Sequence, residues 1–409
     1  MGVSGSTARR GRLGTVVAAV LVLLATGCAW AQPRFGPERN GFNPLEETIG
    51  VENVAQLGLQ WQADLGANGG DAIVTDGLVI VAVRGASFTE GAGVVTALDE
   101  ATGDEVWTVA VPPGTCDDTC FGAETTIASA DGLVFVATVV SRGFGTLVAL
   151  DVHTGDLVRT YATAATAQPA VTGGRLYPVT QAPEGIVMQA WHVGTGTSLW
   201  RSEPGTFQPQ FWPVAVAGGR VYEAREGLQA YDAAGVEGCS GTPAVCQPLW
   251  SALSGSPPTV SGDFVAVGST VFAAGGCGAP LCAAVWRGQG GGLPAIADGV
   301  LYSTNSSTAH LEAYALAGCG APECAPLWEA SAARFGVIAV ANGVVYVVDG
   351  NDLMTFAAAG CGATACQQLA NLDMPATAAY AAEPVVVDGR VFVALDDGTI
   401  AAFGLPAPA

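Results

Sequence analysis

Short runs of alternating apolar and polar residues recur along the chain, separated by two-residue turn signals. Asp76-Gly77, Asp131-Gly132, Gly173-Gly174, Gly218-Gly219, Gly262-Asp263, Asp298-Gly299, Asn342-Gly343 and Asp388-Gly389 follow one another at a mean spacing of about 45 residues. Such dipeptides supply the positive φ that a tight hairpin turn requires. The flanks read as half-buried strands: Ile73-Val74-Thr75 leads into Leu78 to Val83, and Val385 to Val387 leads into Val391 to Leu395. Pro169, Pro258, Pro294 and Pro384 each stand four residues before a turn, and Pro213 stands five before. A strand tolerates proline at its first residue, where the missing N–H breaks no ladder bond.

A second hairpin completes each repeat. Val94 to Asp99 is followed by Thr102-Gly103 and ends at Trp107; Val187 to His192 is followed by Thr195-Gly196 and ends at Trp200. Trp250, Trp286 and Trp328 fall at the same position, which Arg159 and Ala370 take in repeats two and seven. Four antiparallel strands per repeat make one propeller blade. The last repeat lacks its fourth strand, and Leu57 to Leu65, carrying Trp61, precedes the first full repeat. The expectation is an all-β, eight-bladed β-propeller of four-stranded antiparallel blades over residues 51–409. The N-terminal strand would complete the last blade and close the ring. Residues 28–50 read as a tether or lead segment.

Residues 1–27 read as an export signal, with Arg9, Arg10 and Arg12 before the apolar stretch Val16 to Ala25. Two processing sites compete. Ala25-Thr26-Gly27-Cys28 resembles a lipobox that would place a lipid on Cys28. Ala29-Trp30-Ala31 would instead remove residues 1–31 and release a soluble chain from Gln32. The lipobox is favoured, so the mature chain is expected outside the cytoplasm, held to the membrane by that lipid or else secreted.

Composition narrows the classes. All 15 basic residues are Arg, against 36 acidic ones, for a net charge of −21. That balance excludes a nucleic-acid binder, which needs clustered cations. With 50% hydrophobic and 12% charged residues the chain is not disordered. Apart from Cys28, ten cysteines form five local pairs: Cys116/Cys120, Cys239/Cys246, Cys277/Cys282, Cys319/Cys324 and Cys361/Cys366. In an exported chain these read as disulfide staples across loops, four of them between the third and fourth strands of successive blades. Zinc is the alternative, but a pair supplies two of four ligands and no His accompanies it.

Ala97-Leu98-Asp99-Glu100-Ala101-Thr102-Gly103-Asp104-Glu105-Val106-Trp107 resembles the repeat of pyrroloquinoline-quinone (PQQ)-type propellers, as does Ala149-Leu150-Asp151-Val152-His153-Thr154-Gly155. Arg34-Phe35-Gly36-Pro37 and Gly41-Phe42-Asn43-Pro44 are similar to the lead of bacterial members. The resemblance implies eight blades with the repeat tryptophans docked on neighbouring blades. The family includes quinoprotein alcohol dehydrogenases and non-enzymatic relatives such as the BamB lipoprotein of outer-membrane protein assembly.

The enzymes' vicinal cysteine pair has no counterpart, because no Cys-Cys dipeptide occurs, and their calcium ligands and catalytic Asp match no motif here. His153, His192 and His310 have no motif-linked partner, and Asp99, Asp151 and Asp232 read as turn-bonding carboxylates. Asp117-Asp118 and Asp349 to Asp352 fall short of a calcium ligand set. No catalytic, cofactor or metal residue is therefore assigned. The candidate surface is the face carrying the longer loops, with Arg84, Phe88, Phe144, Phe211 and Trp212 as candidate anchors. The expectation is a non-enzymatic, lipid-anchored propeller presenting a face to a protein or small ligand at the cell envelope. It touches the membrane only through its lipid. The alternatives are a PQQ- and calcium-dependent dehydrogenase with a divergent site and a BamB-like assembly scaffold.

Overall fold

The computed structural model describes residues 1–2, 29–66, 69–83, 93–111, 121–141, 145–205, 212–332, 336–376 and 383–407. The turn dipeptides close hairpins as their chemistry requires: Asp76 and Gly77 have φ of 52° and 73°, and Asp388 and Gly389 have 49° and 74°. Each first hairpin places its opening strand innermost, around a central channel, and the later strands follow outward.

Seven blades are contiguous in the chain. The first consists of Gly69–Thr75, Leu78–Val83, Val94–Asp99 and Glu105–Ala110, and the second ends on the outer strand Leu157–Tyr161. A further sheet draws on both ends of the chain: Val385–Val387, Arg390–Ala394 and Thr399–Gly404 pair in turn, and Gly58–Asp64 adds antiparallel to Thr399–Gly404.

The expected eight-bladed propeller, closed by the N-terminal strand, is corrected on two counts. First, seven blades, not eight, are built from contiguous stretches of the chain. Three sheets depart from the four-stranded antiparallel plan. Phe42–Asn43 adds parallel to the inner strand of the seventh blade, Ala365–Cys366 adds parallel to the outer strand of the sixth, and Ala244–Cys246 adds parallel to the outer strand of the third. In the third blade Pro178 separates Arg175–Tyr177 from Val179–Ala182, because proline cannot donate to the ladder. Second, no sheet closes on itself: every one keeps an inner and an outer edge, so edge protection must come from elsewhere.

Neighbouring sheets interlock through the repeat tryptophans. Trp107 Nε1 donates to Val152 O at 3.0 Å, Trp200 to Ala233 O at 3.2 Å and Trp286 to Leu316 O at 2.8 Å, each in the next blade. Each of these rings lies over a glycine of positive φ in the following turn, where a Cβ would collide with it. Arg159 substitutes by donating to Thr195 O and Gly194 O. The apolar clusters accordingly sit at the seams, one joining Ile73, Leu78 and Trp107 to Ile127, Val134 and Val148.

The inner edges are met by residues 30–43. Trp30 exchanges two backbone hydrogen bonds with Val74, and Ser129 N donates to Ala31 O. The Gln32 side chain pairs with both backbone groups of Val171. Val216, Val260, Ile296 and Val340 donate to Pro37, Glu38, Asn40 and Gly41 in that order, and Asn43 Nδ2 donates to Val386 O. Each partner stands two residues before its turn dipeptide. The segment thus runs once around the channel, visiting the inner strands in chain order.

Candidate functional site

Pro33, Arg34 and Arg39 of that circuit floor a cavity of about 220 Å³. Its walls include Asp71, Thr126, Gln168, Pro213, Pro258 and Glu383, which stand at or near the beginnings of successive inner strands. Pro213 and Pro258, two of the prolines noted above, thus have a second use, since they line the cavity without presenting an unmet N–H.

Two buried arginines dominate this floor. Arg34 lies at φ 69°, Phe35 at 77° and Arg39 at 57°. Left-handed backbone at non-glycine residues costs on the order of 1–3 kcal/mol each and persists only where surroundings enforce it. Arg34 is 4% exposed; it donates from Nη1 to Ile338 O at 3.2 Å, from Nε to Arg39 O at 3.4 Å and from Nη2 to Pro294 O. Glu383 accepts from the Arg34 backbone N–H and stands 3.8 Å from the guanidinium. Arg39 Nη1 donates to Gln168 Oε1, and Gln168 Nε2 donates to Asp71 Oδ2 at 2.7 Å. Among the described residues no other side-chain hydrogen bond reaches the Arg39 guanidinium, which borders the cavity.

Burial lowers the pKa of Arg34, and the charge of Glu383 opposes that shift. Burial and then repulsion from Arg34 bring Arg39 down to about 10, so it remains a cation at neutral pH. Burial pushes Glu383 up, with Arg34 pulling the other way. The site can therefore receive hydrogen-bond acceptors at Arg39. Of the nearby carboxylates, Asp71 accepts from Gln168, and Glu383 faces Arg34, with its Oε1 accepting no hydrogen bond among the described residues.

Among the residues proposed from sequence for the binding face, Trp212 is described, half-buried and packed over Gly255. Arg84, Phe88, Phe144 and Phe211 lie outside the described residues, as do Cys28, Cys116 and Cys120. Cys239–Cys246, Cys277–Cys282, Cys319–Cys324 and Cys361–Cys366 are disulfides, which removes these thiolates as zinc ligands. Among the described residues no three His, Cys, Asp or Glu side chains gather to hold a metal. Asp99 and Asp151 accept backbone N–H groups within their turns, and those bonds lower their pKa. His192 Nδ1 accepts from Thr195 N, and His310 pairs with Glu329 at 3.5 Å.

The arginine floor was not read from the sequence. Its only trace there was a non-repeating, Arg- and aromatic-bearing stretch before the first blade.

A PQQ-repeat family model, described as outer membrane protein assembly factor BamB, matches residues 91–282. The chain is a β-propeller that carries PQQ-like repeats over that stretch. Solved structures similar to this propeller include the quinohemoprotein alcohol dehydrogenase of Comamonas testosteroni, at 14% identity and a TM-score of 0.62, covering 94% of this chain and 82% of that one. Quinohemoprotein alcohol dehydrogenase ADHIIG of Pseudomonas putida HK5 is similar at 15% identity and a TM-score of 0.59, covering 93% and 82%. The computationally designed Ika8 protein is similar at 12% identity and a TM-score of 0.60, covering 83% and 97%. At these identities the likeness is one of fold. No curated protein matches the sequence significantly. The four described disulfides fit an oxidising, extracytoplasmic compartment.

Proposed function

We propose that this propeller is a non-enzymatic binding protein of the cell envelope, whose channel mouth receives an acceptor-rich ligand or a protein loop at Arg39. The observation that carries the reading is the occupation of the channel by the chain's own residues 30–43, with Arg34 and Glu383 paired at the cavity. The donor set at the cavity speaks against calcium, and so against a PQQ–calcium pair. Calcium takes six to eight oxygen ligands. Here the two carboxylates at the cavity already hold Arg34 and Gln168. The test is titration of the purified protein with PQQ in the presence of calcium. The expected result is no saturable binding; saturable binding together with alcohol oxidation would overturn the reading.

Burial of Trp30 supports lipoprotein-type processing. Cleavage after Ala31 would discard a fully buried indole and the backbone bonds to Val74 and Ser129. Cleavage before Cys28 keeps them and leaves that cysteine free to carry a lipid. A second reading, an assembly scaffold at the outer membrane, is favoured by the family model over residues 91–282.

A further inference from the structure

The outer edges of the blades are protected unequally. In the fourth blade Ser251, the residue after Trp250, donates to Pro280 O at 2.8 Å and accepts from Cys282 N at 2.8 Å. Both partners belong to the Cys277–Cys282 loop of the following blade. In the fifth blade Arg287 makes the same two bonds, both at 2.9 Å, with Pro322 and Cys324. In the sixth, Glu329 donates to Thr364 O at 2.8 Å and pairs with Ala365. In the third, Arg201 pairs with Val245 beside Cys246. Each stapled loop is thus a short parallel strand that covers the outer edge of the preceding blade.

The first three blades use tight turns instead, too short to reach that edge. The equivalent residues after Trp61, Trp107 and Arg159 are Gln62, Thr108 and Thr160. They occupy the same ladder register, opposite Ala401, Thr96 and Val148. Among the described residues no backbone partner lies on their outer side. Among the described residues, Gly58–Asp64, Glu105–Ala110 and Leu157–Tyr161 therefore form three consecutive open edges on one arc of the rim, beside the likewise unpaired outer strand Ala370–Asp373 of the seventh blade. They carry exposed Leu59, Val106, Leu157 and Val158. None of these strands contains Pro or Lys, the usual means of blunting an edge.

We infer that this arc docks an extended segment of a partner protein by strand addition, parallel to the outer strand, as the chain's own loops do on the opposite arc. Main-chain bonds to Gln62, Thr108 and Thr160 supply the pairing, and alternate side chains rest on the exposed apolar positions. Exposed Asp64, Asp104, Glu105 and Asp156 flank the edges. The segment is therefore neutral or basic. The inference deepens the binding role proposed above but stands on the rim alone, so PQQ binding at the channel would leave it untouched.

The probe is a fluorescent, end-blocked octapeptide of alternating Val and Arg, titrated into the full chain. The expected result is saturable binding, with amide exchange at Gln62, Thr108 or Thr160 slowed at least tenfold. A peptide N-methylated at alternate residues should lose the binding. Thr108→Pro removes an outward N–H and should abolish protection of the first blade's edge while the Val216 and Val260 amides stay protected. If that variant fails to fold, the N-methylated peptide decides alone. Four outcomes would overturn the inference: absence of binding, binding without protection of these amides, equal binding of the N-methylated peptide, or protection that grows with protein concentration alone. The last would mean pairing between copies of this chain.

Discussion

The indole of Trp61 lies across Gly103, so close that a Cβ added to Gly103 would stand 2.5 Å from the ring. Trp61 Nε1 also donates to Glu100 O at 3.2 Å. A residue ahead of the first blade thus locks the composite sheet onto that blade.

Gly103→Ala and Gly77→Ala make a matched pair. Both glycines have similar positive φ, 75° and 73°, but nothing lies within 4 Å of a Cβ at Gly77. The left-handed backbone alone costs about 1–2 kcal/mol. Gly77→Ala is expected to cost that much in chemical denaturation. Gly103→Ala should cost roughly 1–3 kcal/mol more, the usual cost of overpacking. Equal midpoints would mean that the Trp61 dock contributes nothing.

The amino terminus of the mature protein should lie before Trp30. Intact-mass measurement on protein from its native host is expected to find Trp30 and Ala31 retained and Cys28 modified by lipid. A chain made to begin at Gln32 should lose about 3–5 kcal/mol, the range for deleting a buried tryptophan. A native terminus at Gln32 would contradict both the packing argument and the lipid anchor.

Alkaline pH should weaken the seams. Tyr222 donates to Ala274 O at 3.0 Å, and burial pushes its phenol up to about 12. Between pH 10 and 12 the unfolded chain loses this proton before the folded one does, so stability falls as pH rises. Two units of pKa correspond to roughly 3 kcal/mol. Burial also raises Tyr231, Tyr302, Tyr314 and Tyr346. Arg39, lowered to about 10, acts in the opposite sense over the same window. Tyr222→Phe should flatten the decline measured by denaturant titration between pH 10 and 12. An unchanged slope would show that the Tyr222 proton is not linked to folding.

Reduction of the staples should be felt one blade away. Opening Cys319–Cys324 releases the strand that covers Arg287, and amide exchange at Arg287 is expected to quicken while Thr108 is unaffected. Closure of so short a loop restricts the unfolded chain by roughly 2 kcal/mol. An Arg287 amide indifferent to reductant would separate the disulfides from edge protection.

The repeat was legible because its signals are side chains with one task each: Asp-Gly for a left-handed turn, Trp for a dock, proline at a strand's start. Trp61 could be placed for the same reason. What escaped was carried by backbone. Ala31, Pro37 and Gly41 offer carbonyl groups to the inner strands, and no residue type announces a carbonyl. Pro280 and Pro322 likewise accept from the outer edge of another blade, so the stapled loops read as closures of themselves and not as strands of their neighbours. Arg34 and Arg39 stood in a segment without a period, where hydrophobic pattern says nothing about burial. Pro178 was visible, but its splitting of the third blade was not anticipated.

Residue-resolved hydrogen exchange on the native protein tests most directly whether the chain fills its own channel. The Val74, Ser129, Val216, Val260, Ile296 and Val340 amides, which donate to residues 30–41, should fall together in the slowest-exchanging class. They should lose protection together when residues 30–43 are deleted. Fast exchange at these amides in the intact chain would mean an open channel with room for a cofactor, and the binding role argued from Arg39 would fall with it.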